Sequence, residues 1–220
     1  MNIPSCIPAM TLKGVVLFPD AMLPLRIFED RYKTMLVDVL KGDRMFAVLA
    51  EREKSSMDNS LDEPPFEVGT VGLVRVSKKN SDGTSFVMLQ GVSRIRIRSI
   101  IDDGPYRLIK ADPFETLVEK NANEFRTKIY DALVQNKLLG GDTSDETLES
   151  LKIIDDDITF VDLAAFTLCK NTIRKQAMLE VQRLHKRAEM LFDDLMQENL
   201  QLSLFKKNNF GEDASDLDRN

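Results

Sequence analysis

The chain has 220 residues, a mass of 25.0 kDa and a formal net charge of −6 at neutral pH. No window approaches the roughly 20 apolar residues that a membrane span needs. The negative charge disfavours nucleic-acid binding, which depends on lysine and arginine neutralising phosphates. Residues 1–10 lack the pattern of a signal or transit peptide, so we expect a cytoplasmic protein.

The first half of the chain predicts mainly β-strands, because short apolar or alternating runs recur along it. The turn sequence that contains Asp82 and Gly83 predicts a hairpin. Helical spacing predicts one helix at residues 29–41, and the polar residues 51–65 predict a mobile loop. The predicted strands cover residues 44–50, 71–77, 85–89, 94–101 and 106–111.

After residue 112 the apolar spacing becomes helical. It predicts helices at residues 124–138, 144–151 and 158–170, and Thr159 with Asp162 resembles a capping pair. A longer helix from Ile173 carries a heptad seam that either packs against another helix or self-associates. The predicted fold class is α+β. Its parts are a β-rich domain at residues 1–112, a helical bundle at 113–205 and a disordered tail at 206–220.

The sequence offers little for catalysis. His185 is the only histidine, which removes most mechanisms that need a nucleophile and a positioned base. The phosphate-binding patterns GxxxxGK[ST] and GxGxxG do not occur. Cys6 and Cys169 are too few and too far apart for a disulfide framework or a zinc site. We therefore predict no catalytic residue, no cofactor and no metal.

The segment Val15–Phe28 is unusually apolar for a stretch that contains Pro19 and Pro24. It must be buried or form an exposed apolar surface. Core packing is the expectation for Leu17, Leu25 and Ile27, whereas an exposed ridge beside the prolines would suit extended peptide ligands. The binding candidates in this segment are Phe18, Met22, Leu23 and Arg26.

A second candidate surface lies on the strand at residues 93–100. Its alternation places Arg94, Arg96 and Arg98 on one face. Two interpretations stay open: a cationic stripe that binds carboxylates or phosphates, and an ordinary solvated sheet face. Arg94 and Arg96 are the binding candidates here.

The run VLFPDAMLPLRIFEDRYKTML at residues 16–36 resembles the signature FPxxxLPLxIFExRY of the Lon N-terminal domain family. Further similar positions are residues 68–70, Gly72, Asp82 with Gly83, and Gly91 with Arg94. The resemblance implies a PUA-like pseudo-barrel up to about residue 112, followed by a helical bundle. In Lon proteases this region precedes ATPase and peptidase modules and helps to select unfolded substrates. No sequence motif of either module is found here.

The resemblance therefore predicts a non-catalytic module that recognises exposed apolar segments of polypeptides. The expected partners are unfolded or extended polypeptides and, as an open alternative, a separate ATP-dependent protease for which the chain is an adaptor. RNA binding is a further alternative, because PUA-like barrels often bind RNA. The predicted contact residues are Phe18, Met22, Leu23, Arg26, Arg94 and Arg96.

Overall fold

The structure, a computed structural model, describes residues 3–54, 62–101, 104–118 and 123–212. These residues form a mixed α+β protein. The strands are β1 (Ile7–Leu12), β2 (Met22–Ile27), β3 (Met45–Ala50), β4 (Val68–Lys79), β5 (Ser85–Ile101) and β6 (Leu108–Pro113). The helices are α1 (Asp30–Lys41), α2 (Asn123–Leu138), α3 (Asp145–Lys152), α4 (Asp157–Leu168), α5 (Thr172–Glu180) and α6 (Leu184–Glu212).

The six strands form one sheet in the order β2-β5-β4-β3-β1-β6, and β5 also pairs with β6. The long strand β5 makes this possible: residues 85–90 pair with β2, and residues 95–101 pair with β6. Strands β5, β4, β3, β1 and β6 therefore form a closed ring of pairings. Strand β2 lies outside this ring with β5 as its one partner among the described strands. Such an edge position tolerates Pro24 within a strand.

The chain forms two compact units. Unit 1 comprises Met1–Thr116 and Lys170–Gln182, and unit 2 comprises Leu117–Cys169 and Arg183–Asn220. Unit 1 thus contains the sheet, α1 and α5, whereas the sequence-based boundaries at residues 112 and 205 group α5 with the other helices. The core of unit 1 is a cluster of buried apolar residues on five strands: Ile7, Ala9, Met45, Ala47, Leu49, Val71, Ile95 and Ile109.

Unit 2 packs α2 and α4 against α6 around apolar side chains such as Leu133, Phe160 and Leu191. It also buries an ion pair in which Arg187 donates to Asp162. The capping role expected for Thr159 with Asp162 is wrong, because Asp156 caps α4 by accepting from the Thr159 amide at 2.7 Å.

The long helix predicted from Ile173 is also wrong as a single element. Helix α5 ends at Glu180 because Val181 adopts an extended backbone, with φ −83° and ψ 119°. Helix α6 then begins at Leu184, whose amide donates to the Leu117 carbonyl at 3.0 Å. The heptad spacing continues through the break, so spacing alone gives no sign of it.

Two predicted irregular segments are described in part. Helix α6 continues to Glu212, so residues 206–212 are helical where the sequence predicted a disordered tail. Residues 213–220 lie outside the described residues. Of the predicted mobile loop at 51–65, residues 55–61 also lie outside them, and its two ends meet in a bridge between Glu51 and Pro65.

Candidate functional site

Strands β2, β5 and β4 lie side by side in unit 1 and present apolar side chains on their outer face. In the strand register, Pro24 pairs with Met88, and Met88 pairs with Val76. The alternation of strand side chains brings the even-numbered positions of β2 and β5 to one face of the sheet. We call the five apolar side chains on that side the outer apolar face: Met22, Pro24, Val76, Phe86 and Met88.

The burial of neighbouring residues defines this face. Met22, Val76 and Phe86 are 44%, 51% and 39% exposed. By contrast, Val87 and Leu89, which alternate with Phe86 and Met88 along β5, are fully buried. Pro24 is exposed and Met88 is half-buried. Single exposed apolar residues are common on protein surfaces, but a contiguous group on three strands is typical of a binding surface.

Cationic side chains surround and interrupt the outer apolar face. Arg26 and Lys78 are the register partners of Phe86 on either side, and both are exposed. Arg75 is also exposed and donates from Nε to Oε1 of Gln90 at 2.6 Å. The face is therefore apolar with a positively charged rim, although the whole chain is acidic.

One carboxylate, Asp82, lies at the tip of the β4–β5 hairpin and accepts from Arg26 Nη2 at 2.9 Å. The same carboxylate accepts from the Thr84 hydroxyl at 2.7 Å and from the Thr84 amide at 3.0 Å. The hydrogen bonds from Thr84, with a smaller contribution from Arg26, hold the pKa of Asp82 below its ordinary value.

This lowered pKa predicts a pH dependence for the hairpin tip. The interactions of the Asp82 carboxylate are fully present above its ordinary pKa of 3.8 and are lost as the pH falls through the lower folded value. An NMR titration of the Thr84 amide should therefore have its midpoint below pH 3.8. A midpoint above that value would contradict the arrangement, and the Asp82→Asn variant should remove the transition.

Strand β2 offers main-chain groups as well as side chains. The Gly91 amide donates to the Ala21 carbonyl at 2.9 Å, so Ala21 directs its carbonyl toward β5. Because main-chain groups alternate in direction along a strand, those of Met22, Pro24 and Arg26 point away from β5. Among the described strands none pairs with this edge of β2, which resembles the edges to which extended peptides add as a further strand. Pro24 contributes a carbonyl there but no amide hydrogen.

Of the four binding candidates in the Val15–Phe28 segment, the structure places two at the outer apolar face and two away from it. Met22 and Arg26 lie at the outer apolar face, whereas Leu23 is half-buried and has the opposite strand orientation. Phe18 is fully buried, so the prediction that it forms an exposed ridge is wrong. It lies in a tight turn in which its carbonyl accepts from the Ala21 amide, and the chain there packs against Gly91.

The two arginine candidates on β5 also differ, since Arg94 is buried and Arg96 is exposed. Arg94 is only 2% exposed, so its predicted place on an exposed face, as a cationic binding stripe or as an ordinary solvated surface, is wrong. Its guanidinium donates to the carbonyls of Leu179 and Val181 at 2.8 Å each and to the Thr116 hydroxyl at 2.6 Å. The two carbonyls flank the end of α5, and the three hydrogen bonds explain why a charged residue is buried there.

Arg96 is exposed and stacks on the Phe114 ring at 4.4 Å from its centroid. It lines a cavity of about 410 Å³ together with Glu67 and Glu180. This cavity contains opposite charges and is separate in its lining residues from the outer apolar face.

Besides Pro24, three residues of the outer apolar face were not predicted as contacts: Val76, Phe86 and Met88. Their strands were predicted, and their alternation between apolar and polar positions is visible in the sequence. The missing information was the pairing of β2 with β5, which aligns the proline segment with these strands.

Two kinds of feature are absent from the described part of the chain. There, no three side chains of histidine, cysteine, aspartate or glutamate come together as a metal site would require. None of the helices within the same residues combines the length and the apolar content needed to cross a membrane.

The fold is similar to those of two solved structures. One is the N-terminal domain of the Lon protease from the Mycobacterium avium complex, with a TM-score of 0.69 and 11% identity, covering 87% of this chain and 98% of that one. The other is a Lon N-terminal domain protein from Xanthomonas campestris, with a TM-score of 0.58 and 20% identity, covering 86% of this chain and 98% of that one. The architecture is thus that of Lon N-terminal domains.

Sequence comparison leads to the same class. The Lon protease of Clostridioides difficile is 27% identical over 208 residues, which is 91% of this chain and 26% of that protein. The Lon protease of Escherichia coli K12 is 27% identical over 187 residues, or 84% and 24%. The chain therefore spans about a quarter of the length of these relatives. A family model described as the substrate-binding domain of ATP-dependent protease La (Lon) matches residues 6–197, and the chain belongs to this family.

Proposed function

We propose that this chain is a non-catalytic polypeptide-recognition module that binds exposed apolar segments of proteins through the outer apolar face. The observation that carries the proposal is the contiguous exposure of Met22, Val76 and Phe86 on three adjacent strands. Strand β2 supplies, beside these side chains, an edge that pairs with no other described strand. An extended segment can then bury alternate side chains on the face while its main chain meets β2.

The positively charged rim restricts the kind of polypeptide segment that the face favours. Arg26, Arg75 and Lys78 favour ligands in which acidic residues stand next to apolar ones, because complementary charge at a rim aids encounter and orientation. The ring of strand pairings supports a PUA-like pseudo-barrel in unit 1, and the family match supports a role in substrate recognition.

Binding to a fluorescent, permanently unfolded polypeptide tests the proposal. We expect the double variant Val76→Ser, Phe86→Ser to raise the Kd about tenfold or more, because both truncations remove apolar contact area from the face. Fluorescence anisotropy measures the Kd. Both residues are substantially exposed, so the fold should survive, which circular dichroism would verify.

Val37 provides a matched control. It lies on α1 in the same unit and is 53% exposed, close to the 51% of Val76. Val37→Ser should leave the Kd within about twofold of the wild type, as expected for an exposed residue outside the contact. Equal losses in the two variants, or no binding by the wild type, would contradict the proposed site.

The rim is tested with two peptides that share an apolar centre and differ in flanking Asp or Lys residues. We expect tighter binding of the Asp-flanked peptide, with a difference that shrinks as salt rises. The Lys78→Glu variant should remove this preference. Equal affinities at low salt would contradict the role of the rim while leaving the apolar contact intact.

An adaptor role beside a separate ATP-dependent protease is the second candidate, favoured by the match to the substrate-binding domain of Lon over about a quarter of the length of Lon proteases. It predicts that the chain accelerates degradation of a bound polypeptide by such a protease and cleaves nothing by itself with ATP. Cleavage by the purified chain would overturn the non-catalytic assignment. RNA binding has less support, because Arg94 is buried and Arg98 is paired with Asp112.

A further inference from the structure

Helix α6 carries a second exposed stripe that the proposed function does not use. Its inward seam, with Leu184, Leu191 and Leu195, is buried in unit 2. On the outward side lie five exposed residues, which we call the α6 outer stripe: Asp193, Met196, Leu200, Leu204 and Lys207. At 100° of rotation per residue, all five lie within about 40° of Leu200 on the helix circumference.

The α6 outer stripe is symmetric about Leu200. Met196 and Leu204 lie four residues before and after it, and Asp193 and Lys207 lie seven residues before and after it. The apolar centre is therefore flanked by an acidic residue on one side and a basic residue on the other. This arrangement is complementary to itself when the direction of the helix is reversed.

The surroundings of the stripe leave room for another helix. A groove of about 530 Å³ runs between α2 and α6 and includes Met196 and Leu200 in its lining. Small side chains, Ala132 and Ser203, line the same groove, and small residues allow close approach of a second helix. Leu200 and Leu204 are 53% and 51% exposed, so half of their surface is in contact with solvent.

We propose that the occupant is α6 of a second copy of this chain, packed antiparallel across a two-fold axis at Leu200. In this register each Leu200 faces its counterpart, and Met196 faces Leu204 of the second copy. Asp193 faces Lys207 of the second copy at both ends of the contact. Such an isologous interface uses the same surface on both copies, as closed dimers do.

Charge selects this occupant and direction over the alternatives. A parallel, in-register pair would bring Asp193 against Asp193 and Lys207 against Lys207, which is unfavourable. An unrelated amphipathic helix could bury the leucines, but it would have no reason to match an acidic and a basic residue at equal distances from Leu200. The stripe spans about 21 Å, the length of four helical turns, which suits a modest and reversible dimer.

Sedimentation velocity of the full chain over a concentration series tests the dimer. The wild type should change from monomer to dimer with rising concentration. The Lys207→Asp variant should weaken association at least about tenfold, because it places like charges at both ends of the interface. The reversed pair Asp193→Lys, Lys207→Asp should restore the wild-type constant to within about threefold, since the complementarity is regenerated.

Gln201→Glu is the matched control, because it adds a negative charge next to Leu200 but outside the stripe, at an exposed position. It should leave the association constant within about twofold of the wild type. A wild type that stays monomeric up to millimolar concentration would overturn the proposal. A dimer that ignores Lys207→Asp, or is not restored by the reversed pair, would overturn it equally. None of these variants touches the outer apolar face, so failure here leaves the polypeptide-binding proposal separately testable.

Discussion

Replacing Gly91 with alanine is expected to destabilise unit 1 by about 4 kcal/mol, at the high end of the range for single substitutions. A Cβ atom at Gly91 would lie 2.0 Å from the carbonyl oxygen of Phe18 and 2.8 Å from its carbonyl carbon. Both atoms belong to the backbone, so a rotamer change cannot relieve the clash. The Gly91 amide also donates to the Ala21 carbonyl, and the Gly91 carbonyl accepts from the Asp20 amide, at 2.9 Å each.

The substitution thus acts on the turn that leads into β2 and sets the position of Met22. Urea unfolding followed by circular dichroism measures the free energy of unfolding. Gly104→Ala is the control, because the nearest atom to its added Cβ would be 3.6 Å away. Its expected cost is below about 0.5 kcal/mol, as for most exposed substitutions. A Gly91→Ala cost of less than about 1 kcal/mol would show that the backbone approach is not as close as described.

Replacing Arg94 with alanine should cost about 3 kcal/mol, since it leaves buried acceptors without their donor. The carbonyls of Leu179 and Val181 and the hydroxyl of Thr116 all lose a hydrogen bond from the guanidinium. Arg94→Lys should recover only part of the loss, because an ammonium group cannot reproduce the planar fork of donors.

Arg96→Ala separates this effect from a general loss of positive charge. Arg96 is two residues away on the same strand and also stacks on Phe114, but it is exposed. Its removal should cost no more than about 1 kcal/mol, the scale of an exposed cation–π contact. Urea unfolding compares the two variants. Equal costs would contradict the assignment of Arg94 as the residue that holds the end of α5.

Local patterns in the sequence predicted most of the elements. Helix α1 was expected at residues 29–41 and occurs at Asp30–Lys41, because the apolar spacing and Gly42 are both local signals. The hairpin between β4 and β5 was expected from Asp82 and Gly83 for the same reason. The mixed α+β character follows from these elements.

Features that depend on distant residues were predicted poorly. The break between α5 and α6 is stabilised by Arg94, 87 residues before Val181, and no local pattern encodes that contact. The same contact explains why Arg94 is buried although alternation predicted an exposed face. Phe18 likewise became a core residue because the chain turns sharply at Asp20, with φ 61°, and packs on Gly91.

The candidate site was predicted in part for a related reason. Met22 and Arg26 were identified from the apolar segment around the prolines. Val76, Phe86 and Met88 were missed, because a surface built from three strands requires their register. Of the six proposed contacts, Met22 thus lies on the outer apolar face and Arg26 lies on its rim. Pro24 and the three residues that were missed complete the face.

NMR of methionine methyl groups tests the polypeptide-binding face most directly. Met22 and Met88 lie on the outer apolar face, whereas Met196 lies on the α6 outer stripe in unit 2 and Met35 is fully buried. On titration with an unfolded polypeptide, we predict that the Met22 and Met88 signals shift or broaden first. The Met35 and Met196 signals should stay unchanged. Changes confined to Met196, or no change at any methionine while the polypeptide binds, would contradict the proposed site.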